Sequence, residues 1–210
     1  MRVGRLGIAL AAASAAAACA FAWLGACSGV QQQRVGIDAP PSDDAVFGPV
    51  ADMLVHRCGS LDCHGQPGRN LRMWGCDGMR LDPNEAPSCR KQQGGGPTTV
   101  AEHYATYRSL VGLEPNVMTA VYDGCKTSGG AYPPSPSCHP ELLTFVQKAR
   151  GIEAHKGGQL IDVSGVDGGP DPQDVCIVTW LEGATDKQAC SEALLIPSFP
   201  VPPTPDASVE

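Results

Sequence analysis

The residues of this chain best suited to chemistry lie together in His56–Gly65, HRCGSLDCHG. Cys58 and Cys63 come just ahead of His64, and Gly65 follows. Cysteines set immediately before a histidine suit covalent haem attachment, because each sulfur can add to a vinyl group while the imidazole ligates the iron. The usual spacing is C-x-x-C-H. Here Ser60 stands where the first cysteine would be, and Cys58 sits two residues earlier, giving C-x4-C-H. Zinc is a second chemistry open to Cys58, Cys63 and His64, all of ligating type. Against it, two adjacent residues are awkward to bring onto one small ion, and exported thiols tend to oxidise. The sequence holds no G-x-S-x-G elbow, P-loop or H-E-x-x-H helix, so no enzyme is expected. Asp62 reads as a turn residue.

The beginning of the chain says where such a site would operate. Arg2 and Arg5 precede an apolar, alanine-dominated run from Gly7 to Leu24, the pattern of a secretory signal. Leu24-Gly25-Ala26-Cys27 resembles a bacterial lipobox, which implies cleavage after Ala26 and acylation of Cys27. The expectation is a lipoprotein of the cell envelope, held in a membrane by its lipid, in the periplasm or at the outer membrane. Of 15 basic residues, Arg2 and Arg5 leave with the signal, so 13 face 22 acidic ones at a net charge of −9. That acidity argues against nucleic acid, whose affinity comes mostly from phosphate contacts. It is compatible with docking a redox protein by electrostatic steering.

Setting aside Cys19 in the signal and Cys27 at the anchor, eight cysteines remain, in neighbouring couples: 58/63, 76/89, 125/138 and 176/190. An even count in an exported chain implies a disulfide framework, although eight cysteines allow 105 pairings. Pairing Cys76 with Cys89, Cys125 with Cys138, and Cys176 with Cys190 would staple a Gly- and Pro-rich chain by local loops. The couple beside His64 would stay free.

The elements that must position these residues are helical. Apolar spacing predicts helices over about Pro49–Cys58, from Thr99 to Gly112, over Pro140–Ala149 and from Asp171 to Gly183. Pro49 and Pro172 fit first turns, and Thr99-x-x-Glu102 makes a capping box. In the second helix the apolar positions Val100, Tyr104, Tyr107 and Val111 define the expected inner face. Long glycine-rich loops are expected at Gly65–Pro97 and Tyr122–Pro136, and His56, His103 and His139 are expected to face solvent. Residues 27–45 read as a flexible tether, 46–196 as the domain and 197–210 as a Pro-rich disordered tail. The fold class is mainly α, a small loop-rich helical domain stapled by disulfides.

The order of the motifs adds a resemblance. Cys63-His64-Gly65 is followed by Gly68-Arg69-Asn70-Leu71-Arg72-Met73-Trp74-Gly75, then Lys148-Ala149-Arg150-Gly151 and His155-Lys156-Gly157-Gly158, then Trp180-Leu181-Glu182-Gly183-Ala184. This succession resembles the cytochrome c-like domains of bacterial surface and periplasmic proteins, over about Val46 to Ala184. The resemblance implies one covalent haem c, with His64 as proximal ligand and His155 as the distal one. Met118 competes for that sixth position; a methionine ligand would raise the reduction potential. Arg69 and Arg72 are candidates for the haem propionates. The displaced cysteine leaves three outcomes: one thioether through Cys63, two through Cys58 and Cys63, or a Cys58–Cys63 disulfide in a haem-free relative. The corresponding functions are electron transfer, and a structural or binding role in the envelope.

Overall fold

The computed structural model describes residues 36–163 and 169–197. The signal segment, Cys27, most of the tether and nearly all of the tail lie outside them. Among the described residues there are six α-helices and no strand: α1 Asp44–Cys58, α2 Val100–Val111, α3 Pro115–Cys125, α4 Thr144–Ala149, α5 Pro172–Leu181 and α6 Lys187–Ala193. A mainly α, disulfide-stapled domain is what the chain forms.

Helix α1 starts five residues before the expected position, so Pro49 lies inside the helix rather than in its first turn. The Asp43 carbonyl takes the N–H groups of Val46 and Phe47 at the start. Phe47, Val50, Ala51, Met53, Leu54 and Val55 are buried along it. Phe47 packs against Trp180 of α5 with ring centres 5.0 Å apart, and edge-on against Tyr107 of α2 at 5.3 Å. The domain begins earlier than expected. The Tyr107 hydroxyl donates to Pro40 O and the Trp180 indole N–H to Pro41 O, so these tether residues are part of the packed unit, which runs from Ile37.

Helix α2 has the anticipated capping box, with Thr99 and Glu102 satisfying each other's backbone N–H groups. Its buried face is only in part the expected one: Tyr107 and Val111 do pack inward. Val100 and Tyr104 are 62% and 52% exposed, while Glu102, His103, Thr106 and Leu110 point inward. Polar partners explain the inversion. Arg80 reaches in from the preceding loop and pairs with Glu102 through Nε at 2.8 Å and Nη2 at 3.1 Å. His103 is held between Asp44 (2.6 Å) and Asp52 (3.0 Å) of α1, so it does not face solvent. His139 is exposed as expected, and His56 is half-buried beside Ile196 O and Asp77.

Two helices were not anticipated. Helix α3 occupies part of the expected Tyr122–Pro136 loop and buries Met118, Val121 and Cys125. Helix α6 has no apolar period and is seated by small residues, Ala189, Cys190 and Ala193. The expected third helix is broken: Pro140–Leu142 forms a 3-10 turn, Leu143 is extended, and Leu142 is 53% exposed. Glu114, at the head of α3, takes the backbone N–H and hydroxyl of Thr144 at 2.8 and 2.7 Å, capping α4 from outside. Helix α5 is buried on all sides, with Asp171 as its N-cap and Arg150 gripping Asp174 in a fork at 2.8 and 2.9 Å.

Disulfides join Cys76–Cys89, Cys125–Cys138 and Cys176–Cys190, leaving Cys58 and Cys63 free. Each bridge closes a separation of 13 or 14 residues. Loops of that size remove roughly 3 kcal/mol of denatured-state entropy each.

Candidate functional site: two histidines across an apolar cavity

Helix α1 ends at Cys58, and the chain turns sharply through Gly59 to Gly65. His64 N–H donates to Cys58 O and Gly65 N–H to Ser60 O, both at 2.9 Å. Gly65 is required here by contact rather than by φ. A Cβ on it would lie 1.8 Å from Gly59 O and 2.9 Å from Gly78 Cα, so three backbone segments cross without room for a methyl group.

The His64 ring is fixed at one nitrogen. Its Nδ1 lies 3.0 Å from Leu71 O, and a carbonyl only accepts, so Nδ1 carries the proton and Nε2 presents a lone pair. Met73 N–H donates back to His64 O at 2.9 Å, closing the 65–71 loop against the histidine. Burial lowers the His64 pKa, Leu71 O opposes that, and His155 and Arg69 lower it further. The neutral, ligating form is favoured.

His155 approaches from another part of the chain. The loop after α4 leaves through Gly151 (φ 71°) and returns where Leu160 and Ile161 both donate to Ala149 O at 2.9 Å. His155 stands on this loop with its ring nearly parallel to that of His64, 11° between planes and 5.9 Å between ring centres. Its Nδ1 is buried and has no hydrogen-bond partner.

A cavity of about 390 Å³ is bordered by both histidines and by Cys58. Its remaining wall is largely apolar, including Met53, Leu54, Leu71, Met73, Phe145 and Ile177, and spans α1, the 65–73 loop, α4 and α5. A second cavity of about 560 Å³ shares His64, His155 and Cys58 and adds Cys63. Arg57, Arg69 and Lys148 border both cavities, and Lys156 borders the second. Asp62 is the one carboxylate among the described residues lining either. The site is therefore cationic although the chain is acidic.

These cations are held in different ways. Arg57 donates to Gln173 Oε1 at 2.7 Å and to the carbonyls of Leu160 and Pro197. Arg69 donates to the backbone carbonyls of Cys63 and Asp62 at 3.0 and 3.2 Å. Arg72 turns away, over the Trp74 ring at 5.8 Å and into a separate cleft, so it does not share the site of Arg69. Arg57 carried no signal in the sequence, because only the fold brings the end of α1 beside α5.

The two free cysteines both reach cavity space, whereas Ser60 borders neither cavity. Cys58 borders the cavity and is half-buried. Burial pushes its thiol up to about 12, with Arg57 opposing and Cys63 adding. Met118, the competing sixth ligand, is 1% exposed in the core under α3 and lines neither cavity. The zinc arrangement fails on geometry. Among the described residues, the group of three potential donors within 4.8 Å of one another is Cys76, Asp77 and Cys89, whose sulfurs are joined in a disulfide. Cys58, Cys63 and His64 do not converge in that way.

Comparison with protein-family models, with curated proteins and with solved structures finds no match to this chain.

Proposed function

We propose that this chain is a cell-envelope lipoprotein, anchored through Cys27, that holds one covalent haem c between His64 and His155 and serves as an electron carrier. The observation that carries the reading is the spacing of the two imidazoles. A metal bonded at about 2 Å to one nitrogen of each ring brings two ring centres to roughly 6.3 Å apart. The observed 5.9 Å is within a few tenths of that value.

The surroundings suit the same group. An apolar wall suits a macrocycle and limits water, while Arg57, Arg69 and Lys156 supply cations for its carboxylates; Lys148 is already paired with Glu153. Cys63, next to His64 in sequence, borders the same space and supplies the essential thioether, while Cys58 borders it too and is placed to add a second. Haem supplies reversible one-electron chemistry. The protein's part is to fix axial ligands, limit solvent and set hydrogen bonding, which together tune the potential. The partner expected is another redox protein of the envelope, and the membrane is contacted through the lipid.

Intact mass tests the assignment. Mature protein co-expressed with a c-type maturation system should gain about 616 Da, one haem, that survives denaturation. A chain lighter than its sequence by the hydrogens of four disulfides would instead identify a haem-free envelope lipoprotein.

A further inference from the structure

We infer that His155 is an exchangeable ligand, so that the site also binds a small uncharged diatomic molecule such as carbon monoxide in its place; this rests on the haem reading above. The two histidines are held very unequally. His64 sits in the crossing of Gly59, Gly65 and Gly78, next to attachment residue Cys63, with Nδ1–H bonded to Leu71 O and its own carbonyl bonded to Met73 N–H. His155 has none of this support. Its loop is tied at the foot by Leu160 and Ile161 on Ala149 O and by Ile152 and Glu153 on Gln147 O. Lys148 Nζ reaches Glu153 and Ala154 O at 2.9 and 3.4 Å, and Gly158 N–H donates to His155 O, but none of these bonds holds the ring. The ring's Nδ1 is buried without a partner.

A glycine stands beside that ring. A Cβ on Gly157 would lie 3.0 Å from Cε1 and 3.2 Å from Nδ1 of His155, so nothing larger, and no polar side chain, occupies that place. A ligating histidine whose second nitrogen donates to a carbonyl or carboxylate is oriented and made more basic. Removing such a partner weakens metal binding about 10–100-fold. His64 has that partner and His155 lacks it, so the bond to His155 is the one that opens. Exposed neighbours on the same loop, with Ile152 at 64%, leave the ring a direction in which to swing out. The vacated volume is bordered largely by apolar side chains, which suits a small uncharged ligand. The exchange is redox-neutral: the imidazole nitrogen leaves with its electron pair, the ligand's carbon donates its own, and no proton moves.

The test uses purified holoprotein, reduced with dithionite under argon and mixed with increasing carbon monoxide. The starting spectrum should be six-coordinate and low-spin. Carbon monoxide should shift the Soret band at a rate that levels off, because departure of His155 becomes limiting. In His155→Ala the starting iron should lose its low-spin signature, and the carbon monoxide rate should rise at least tenfold with no plateau. If that variant fails to accumulate, the plateau in the wild-type rate decides alone. A haem-containing protein whose ferrous spectrum ignores carbon monoxide overturns the inference and leaves the haem reading intact. So does a His155→Ala spectrum identical to wild type before gas is added. A protein without haem overturns both.

Discussion

Replacing Gly65 by alanine should damage the protein far more than its small size suggests. The added Cβ would lie 1.8 Å from Gly59 O, 2.8 Å from Gly59 C and 2.9 Å from Gly78 Cα. A carbon–oxygen contact ordinarily settles near 3.3 Å, so one backbone segment must retreat by roughly 1.5 Å. All three obstructing atoms belong to backbone, so no side chain can rotate away. Overpacking commonly costs about 1–3 kcal/mol, and this geometry belongs at the top of that range, about 3 kcal/mol. For a domain of this size that is a fall in Tm of roughly 6–12 °C. Gly68→Ala is the matched control three residues on, since a Cβ there meets nothing within 4 Å. The assay is urea unfolding followed by far-UV circular dichroism, with disulfides intact. Equal midpoints for Gly65→Ala and Gly68→Ala would refute the three-glycine crossing and, with it, the explanation of how His64 is fixed.

Three further outcomes are expected. Both ring nitrogens of His103 bond to carboxylates; burial lowers its pKa but Asp52 and Asp44 outweigh that and raise it. A raised histidine contributes stability fully below about pH 6.5 and loses it as pH climbs through the folded value. Stability should therefore decline above neutrality in wild type and less so in His103→Gln, and parallel pH profiles would contradict this. Glu102→Gln should destabilise by about 2 kcal/mol, measured as a shift in urea midpoint, because buried Arg80 loses its two-pronged carboxylate and keeps only the half-exposed Glu85 and the carbonyls of Gly96 and Pro97. The Glu102 carboxyl is held below its ordinary range, burial being overcome by Arg80 and by the Thr99 and Leu81 N–H groups, so this contribution fades only as pH falls below about 4.5. Finally, Cys63→Ala should abolish covalent haem while Cys58→Ser retains it through one thioether. Haem still covalently bound to Cys63→Ala, read by intact mass, would sink the attachment assignment.

The parts legible in the sequence were those written in local code. Thr99 and Glu102 specify a capping box within four residues, and neighbouring cysteines bridge because short loops keep them near each other. The inner face of α2 was illegible because hydrophobicity ranks Tyr104 above Glu102, whereas the fold supplies Arg80 from another segment and makes the carboxylate the buried residue. Helix α6 was missed for a related reason. Ala189, Cys190 and Ala193 present little apolar signal, and a disulfide to α5 does much of the holding. Of the site, the facing of His64 and His155 was anticipated only by the order of motifs, since 91 positions separate them. Nothing local marks Arg57, Leu71 O or the orphaned nitrogen of His155, which arise from how distant segments meet.

The most direct measurement is a pyridine haemochrome spectrum of the mature domain after acid–acetone extraction. Retained colour with the band position of thioether-linked haem is the expected result, and it would make the His64–His155 gap an axial-ligand site. A colourless protein with Cys58 and Cys63 oxidised to each other would contradict it, and electron transfer would no longer describe this chain.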